Sequence, residues 1–177
     1  MKRKRIAALL ESNISLLVYH LPLDQHLVCG NNAQLAAHMG WRLDEALVQR
    51  SVNRSGLPLV CTTTLDRPVT GAALTGLLSE RLARKPLHIE SERLISRIGW
   101  CTGGAQGYLM EAIAAGVDAF VSGEISEQTV HEARENNIHY YAAGHHATER
   151  YGVHALGEHL ANQFDLHHQF IDCENPV

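Results

Sequence analysis

The stretch Ile138–Glu149, IHYYAAGHHATE, decides how the chain is read. Residues 138–143 are almost all apolar or aromatic and predict a short buried strand. Gly144 then passes the chain into the first turn of a helix. His145 and Glu149 fall at that junction four residues apart, a spacing that stacks two side chains on one helical face. An imidazole and a carboxylate aimed at one point can share a divalent cation, since both bind at about 2.0–2.2 Å. The plainer alternative is a packed histidine and a first-turn acid that suits the helix dipole.

A second stretch, Leu16–His26 (LLVYHLPLDQH), has the same form. An apolar run ends in Tyr19-His20, and the Leu21-Pro22-Leu23 turn presents Asp24. In open α/β sheets ligands collect at the carboxyl ends of strands, so two such edges facing one another would make a site.

Working outward, the chain predicts a helix over 3–13 with Ile6, Leu9 and Leu10 on one face, then a strand from Ile14 to His20. Asn31-Asn32 are expected to cap a helix that runs to His38 or Met39 and ends at Gly40. Trp41–Arg54 reads as a helical turn or two plus a connector, and Leu57–Thr64 as a strand. Thr70–Lys85 carries Leu74, Leu77, Leu78 and Leu82 at helical steps, stops before Pro86, and leads to a brief extended piece at Leu87–Ile89. From Leu94 strand and helix alternate. The expected strands are Leu94–Cys101, Val117–Ser122, Ile138–Ala143 and His168–Asp172. The expected helices end at Gly116, run from Ser126 to Asn136, and run from about His146 to Phe164. That rhythm implies an α/β fold with a mostly parallel, helix-covered sheet. Glu11-Ser12-Asn13-Ile14 and Glu135-Asn136-Asn137-Ile138 echo one another ahead of the two histidine-bearing edges, which suggests two similar lobes. Residues 1–50 would be an incomplete first lobe and 51–177 the second, with a helical insertion near 70–90.

With 177 residues, 45% hydrophobic and 19% charged, the chain has material for a real core. No stretch reads as a membrane span or a secretion signal, so a cytoplasmic protein is expected. A net charge of −4 argues against stable nucleic-acid binding. Cys29, Cys61, Cys101 and Cys173 form no C-x-x-C pair, which suggests neither a disulfide framework nor a structural zinc site. The glycine-rich turn Gly103–Gly107 is either a phosphate cradle or simply a tight turn. Glu124, at the end of a strand, is a candidate acid or base, or else a structural carboxylate beside the Ser126 cap.

Five blocks carry a family resemblance: YHLPLDQH (19–26), GNNAQLA (30–36), WCTGGAQ (100–106), GVDAFVSGEISEQTVHEARE (116–135) and YAAGHHATERYG (141–152). Together they closely resemble the GTP cyclohydrolase I type 2 homolog, or Nif-three-like, family. The resemblance implies two α/β lobes with a dinuclear metal site between them and subunits assembled in a hexameric ring. It places metal ligands at Asp24, His145 and Glu149, with His20 close by. Apart from the resemblance, His20 reads as a proton shuttle or a partner to a ligand, or else as a buried histidine bonded to backbone, and Glu124 stands as the catalytic candidate named above. The family's consecutive His-His ligand pair, on an earlier strand, has no counterpart here. The expectation is therefore one divalent ion (zinc, manganese or iron) or none, rather than the family's two. The implied function is metal-dependent hydrolysis of a nucleotide-like small molecule, or alternatively a non-catalytic, metal-binding, ring-forming scaffold.

Overall fold

The computed structural model describes residues 2–44 and 59–177. Most of the connector expected over 41–54 and the start of the strand expected at Leu57 lie outside those residues. The described chain forms α1 (Lys2–Glu11), α2 (Leu21–Asp24), α3 (Asn31–Met39), β1 (Cys61–Val69), α4 (Gly71–Leu82), β2 (Leu87–Ile89), β3 (Ile95–Cys101), a 3-10 turn (Gln106–Tyr108) running into α5 (Leu109–Ala114), β4 (Ala119–Ser122), α6 (Glu127–Glu135), β5 (His139–Ala142), α7 (His145–Thr148) and α8 (Tyr151–Phe164).

The strands make one five-stranded sheet in the order β1-β3-β4-β5-β2. β3, β4 and β5 run parallel, as the strand–helix alternation implies, while both edge strands run antiparallel to their neighbours. Alternating side chains point to opposite faces of a strand. Ile98, Trp100, Val121 and Tyr141 therefore pack with Leu35, Met39, Trp41, Leu74 and Leu78 on one face. Phe120 and Tyr140 pack with Leu109, Ala112 and Ala133 on the other.

Local chemistry sets the helix boundaries. Gly40 closes α3 in the left-handed conformation (φ 73°), and the Thr70 and Ser126 hydroxyls accept from the backbone N–H of Ala73 and Thr129 to start α4 and α6. Three expectations need correction. Ile14–His20 is not a strand: it is exposed along its whole length, and among the described residues nothing pairs with it. β1 and β2 are the two edges of the sheet, and neither borders this segment, so its backbone has no ladder to join. His168–Asp172 is not a strand either. It lies along α8, where the His154 and Phe170 rings meet edge to face at 5.2 Å. The single helix expected over 146–164 is two, α7 and α8, broken at Glu149-Arg150.

Candidate metal centre

The parallel strands β3, β4 and β5 end side by side, followed by Thr102-Gly103, Gly123-Glu124 and Gly144-His145. The 2.9 Å bond from the Thr148 hydroxyl to the Gly144 carbonyl holds the turn of α7, and the same hydroxyl oxygen accepts the Gly103 N–H at 3.1 Å. That turn aims His145 and Glu149 inward. His145 Nε2 lies 2.6 Å from Glu149 Oε2, and Nδ1 lies 2.7 Å from Glu124 Oε1.

An imidazole flanked by two carboxylates needs a proton on each nitrogen, or a cation in place of one. The electrostatics agree. Burial alone would hold the His145 pKa down, yet the bonds and charges of Glu124 and Glu149 outweigh it, and the pKa is raised. Burial and the Asp24 charge raise the Glu149 pKa, against the opposing pull of His145 and His20. The proton between His145 and Glu149 marks a place that attracts positive charge.

From the other side, α2 delivers Asp24, which is buried, and His20 stands just before it, exposed. His20, Asp24 and Glu149 offer ligand atoms all within 4.8 Å of one another. Bonds of about 2.1 Å put two donors on one ion at most about 4.2 Å apart, so the three fit a single divalent ion after small side-chain adjustments. His145 is not one of these three, and it joins them through its contact with Glu149. The five residues singled out from the sequence thus form one connected set: His20, Asp24 and Glu149 at the centre, His145 against Glu149, and Glu124 reaching the group through His145.

Several supporting residues were not read as functional from the sequence. Asn31 does not cap α3, whose cap position belongs to Gly30. Its amide instead donates to Asp24 Oδ1 at 2.7 Å, and its carbonyl oxygen accepts the Gly152 N–H of α8 at 2.7 Å. Asn32 ties the same helix to the sheet: its carbonyl side-chain oxygen accepts the Thr102 N–H at 2.9 Å, and its backbone carbonyl accepts from Trp100 Nε1 at 3.0 Å. Both amides are buried. The adjacent asparagines in the GNNAQLA block were the available signal. Gly103 belongs here too, because a Cβ on it would run into the Glu149 carboxylate, and its φ of +68° is a conformation that favours glycine. With its N–H taken by Thr148 and its carbonyl by Gly123 and Ala105, this turn is a tight turn that seats Glu149.

Fold and site define a mixed α/β protein with a candidate cation site at the carboxyl ends of its parallel strands. The chain belongs to the Duf34/NIF3 (NGG1p interacting factor 3) family, whose profile matches residues 1–176. It is 51% identical to a GTP cyclohydrolase 1 type 2 homolog of Pseudomonas aeruginosa, over 100% of this chain and 69% of that protein. The protein of the same name from Escherichia coli K12 is 47% identical with the same coverage. Among solved structures, that of protein ybgI, of unknown function, superposes with a TM-score of 0.90 at 46% identity, covering 100% of this chain and 69% of the other. TTHA1606 from Thermus thermophilus matches at 0.76 and 27%, covering 99% and 67%. Among the described residues no helix is long and apolar enough to cross a membrane.

Proposed function

We propose that this chain binds one divalent metal ion at His20, Asp24, His145 and Glu149 and hydrolyses a nucleotide-like small molecule there. The observation that carries the reading is the convergence of His20, Asp24 and Glu149 within 4.8 Å, with His145 lodged 2.6 Å from Glu149. The name borne by the relatives, GTP cyclohydrolase 1 type 2 homolog, supports the reaction class.

An ion at this place acts as a Lewis acid and lowers the pKa of water. The protein's own groups supply the rest. Glu124 accepts the proton of His145 Nδ1, which turns Nε2 and its lone pair toward the cluster once the proton shared with Glu149 has left. Asn31 orients the Asp24 carboxylate, and Gly103 leaves room for that of Glu149. His20, being exposed, leaves the cluster open to solvent on its side.

Metal analysis of the purified protein, followed by GTP turnover with and without added zinc or manganese, tests the reading. Turnover should need metal and should vanish in Asp24→Ala and Glu149→Ala. Metal-free protein that hydrolyses GTP as fast as loaded protein would refute it.

One observation favours a second reading, a ring-forming scaffold with homohexamers as the functional object. Leu16, Leu17, Val18, Tyr19, Leu21, Leu27 and Val28 are all exposed within one short stretch of chain, and grouped apolar surface is what a protein–protein contact covers. An assembly whose stability is unchanged in the Asp24→Ala protein, with no turnover from either form, would support that reading over the first.

A further inference from the structure

Beside the metal cluster, the carboxyl-terminal segment 171–177 lies as a strap without regular secondary structure. Its contacts with the body run through Arg84, His146 and Arg150. Asp172 takes Arg150 Nη1 on one carboxylate oxygen at 2.8 Å and His146 Nε2 on the other at 2.8 Å. Arg84 donates to the Pro176 carbonyl at 2.6 Å, and the His146 backbone N–H donates to the Val177 oxygen at 3.1 Å. The Arg84 side chain lies close to Gly144, where a Cβ would meet its Nε at 2.7 Å, so it sits against the strand–helix junction that positions His145.

Charge is segregated across this contact. Arg84, His146 and Arg150 belong to the folded body, whereas both acids at the contact, Asp172 and Glu174, belong to the strap. The strap does not fill the space: a cavity of about 480 Å³ remains between Arg84, Arg150 and the strap. It shares His146 and Asn175 with the opening of about 390 Å³ that His145 and Glu149 line. One carboxylate received by an arginine and a histidine together is the geometry with which proteins receive phosphate.

We propose that Arg84, His146 and Arg150 form a binding site for the phosphate group of an anionic substrate, and that the strap occupies this site with Asp172 until the phosphate displaces it. This deepens the hydrolase reading by naming a phosphorylated substrate, and it rests on that reading only for what is done to the ligand once bound. A phosphate in the larger cavity leaves the rest of the molecule to extend through the shared opening toward His145 and Glu149.

The test is titration of metal-free protein with inorganic phosphate, followed by the NMR signals of the strap and by thermal shift. Phosphate should release the strap signals. Asp172→Asn, which takes away the competing carboxylate, should bind phosphate about fivefold more tightly, since the partly exposed Arg150–Asp172 ion pair no longer has to be broken. Glu158→Gln, an equal charge change on the exposed outer side of α8, should bind as the parent does. Arg150→Gln and Arg84→Gln should each lose binding by about tenfold. Equal affinity in the Asp172→Asn and Glu158→Gln proteins, or parental affinity in both arginine variants, would overturn the proposal. A parallel manganese titration separates the two readings. Manganese uptake without any phosphate response removes this site alone. Phosphate binding without manganese uptake keeps the site and removes the hydrolase reading.

Discussion

Replacing Asn31 by alanine should loosen both the fold and the proposed metal centre, because one buried amide serves two elements. Its Nδ2 donates to Asp24 Oδ1 at 2.7 Å and its Oδ1 accepts from Gly152 N at 2.7 Å, with the residue only 4% exposed. A hydrogen bond to a charged group contributes about 1.5–3 kcal/mol, and a buried N–H left unsatisfied costs about 1–3 kcal/mol. Water entering the vacated space recovers part of this, so a loss of about 3 kcal/mol is expected. For a chain of 177 residues that corresponds to a fall in melting temperature of about 6–12 °C. Manganese affinity should fall about 10–100-fold, as it does when residues that orient a ligand are removed. Gln34→Ala is the control: its side chain bonds the Val28 carbonyl at 2.7 Å on the exposed side of the same helix, and its loss should stay within about 0.5 kcal/mol. Denaturant unfolding and isothermal titration read the two quantities. An Asn31→Ala protein as stable as Gln34→Ala, with parental manganese affinity, would refute the idea that this amide ties the two halves of the site.

Manganese should raise the melting temperature of the parent protein, and the rise should grow between about pH 6 and pH 8, because the ion competes with the proton shared by His145 and Glu149. Asp24→Asn should abolish the effect, and a pH-independent rise would contradict the shared-proton account. The thiols should separate by burial: Cys173 is exposed and should react with a disulfide reagent at once, whereas Cys61, pushed up to about 12 by burial, and Cys101, pushed higher still by burial and the nearby Cys61, should react only on unfolding. Fast labelling of Cys61 or Cys101 in native protein would contradict the packing described. Burial, then His139, lowers the His88 pKa in the folded state. A histidine depressed on folding contributes stability that is present above its unfolded value of 6.5 and is lost as pH falls below it. His88→Gln should therefore flatten the decline of melting temperature below about pH 6.5, and an unchanged slope would remove His88 as its cause.

The sheet and the site were legible in the sequence to different depths. Strands β3 to β5 and the helices between them follow from apolar runs and capping residues, which act locally. The His145–Glu149 pair follows from helical spacing, and Asp24 from its place after an apolar run. Local chemistry does not reveal which neighbour a segment finds. Ile14–His20 has the composition of a strand, but composition does not supply a partner backbone, and the described residues place none beside it. His168–Asp172 is similar: Phe170 meets His154 of α8 while Asp172 is spent on His146 and Arg150. The role of Asn31 was hidden for the same reason, since an asparagine at a helix start usually caps that helix, and only the fold shows that its amide reaches Asp24 instead.

The strand ends carry one more regularity that ties sequence to site. Each parallel strand is followed within two residues by glycine, at 103, 123 and 144. Neighbouring strands lie about 4.8 Å apart, so the backbones that leave three adjacent strand ends approach one another closely. At Gly123 a Cβ would meet the Gly103 carbonyl at 2.5 Å and His145 Cα at 2.7 Å, so side chains there would push the β3 and β5 ends apart. The bare backbone instead lets Gly123 N donate to the Gly103 carbonyl at 2.8 Å and Gly144 N to the Gly123 carbonyl at 3.0 Å, extending the sheet's bonding into the turns. That drawn-in edge brings His145 within reach of Glu124 on the adjacent strand end, and the reach to Glu124 fixes which imidazole nitrogen faces Glu149. The pattern of glycines, more than any one acidic or imidazole side chain, shapes the sheet edge at which the candidate cation site lies.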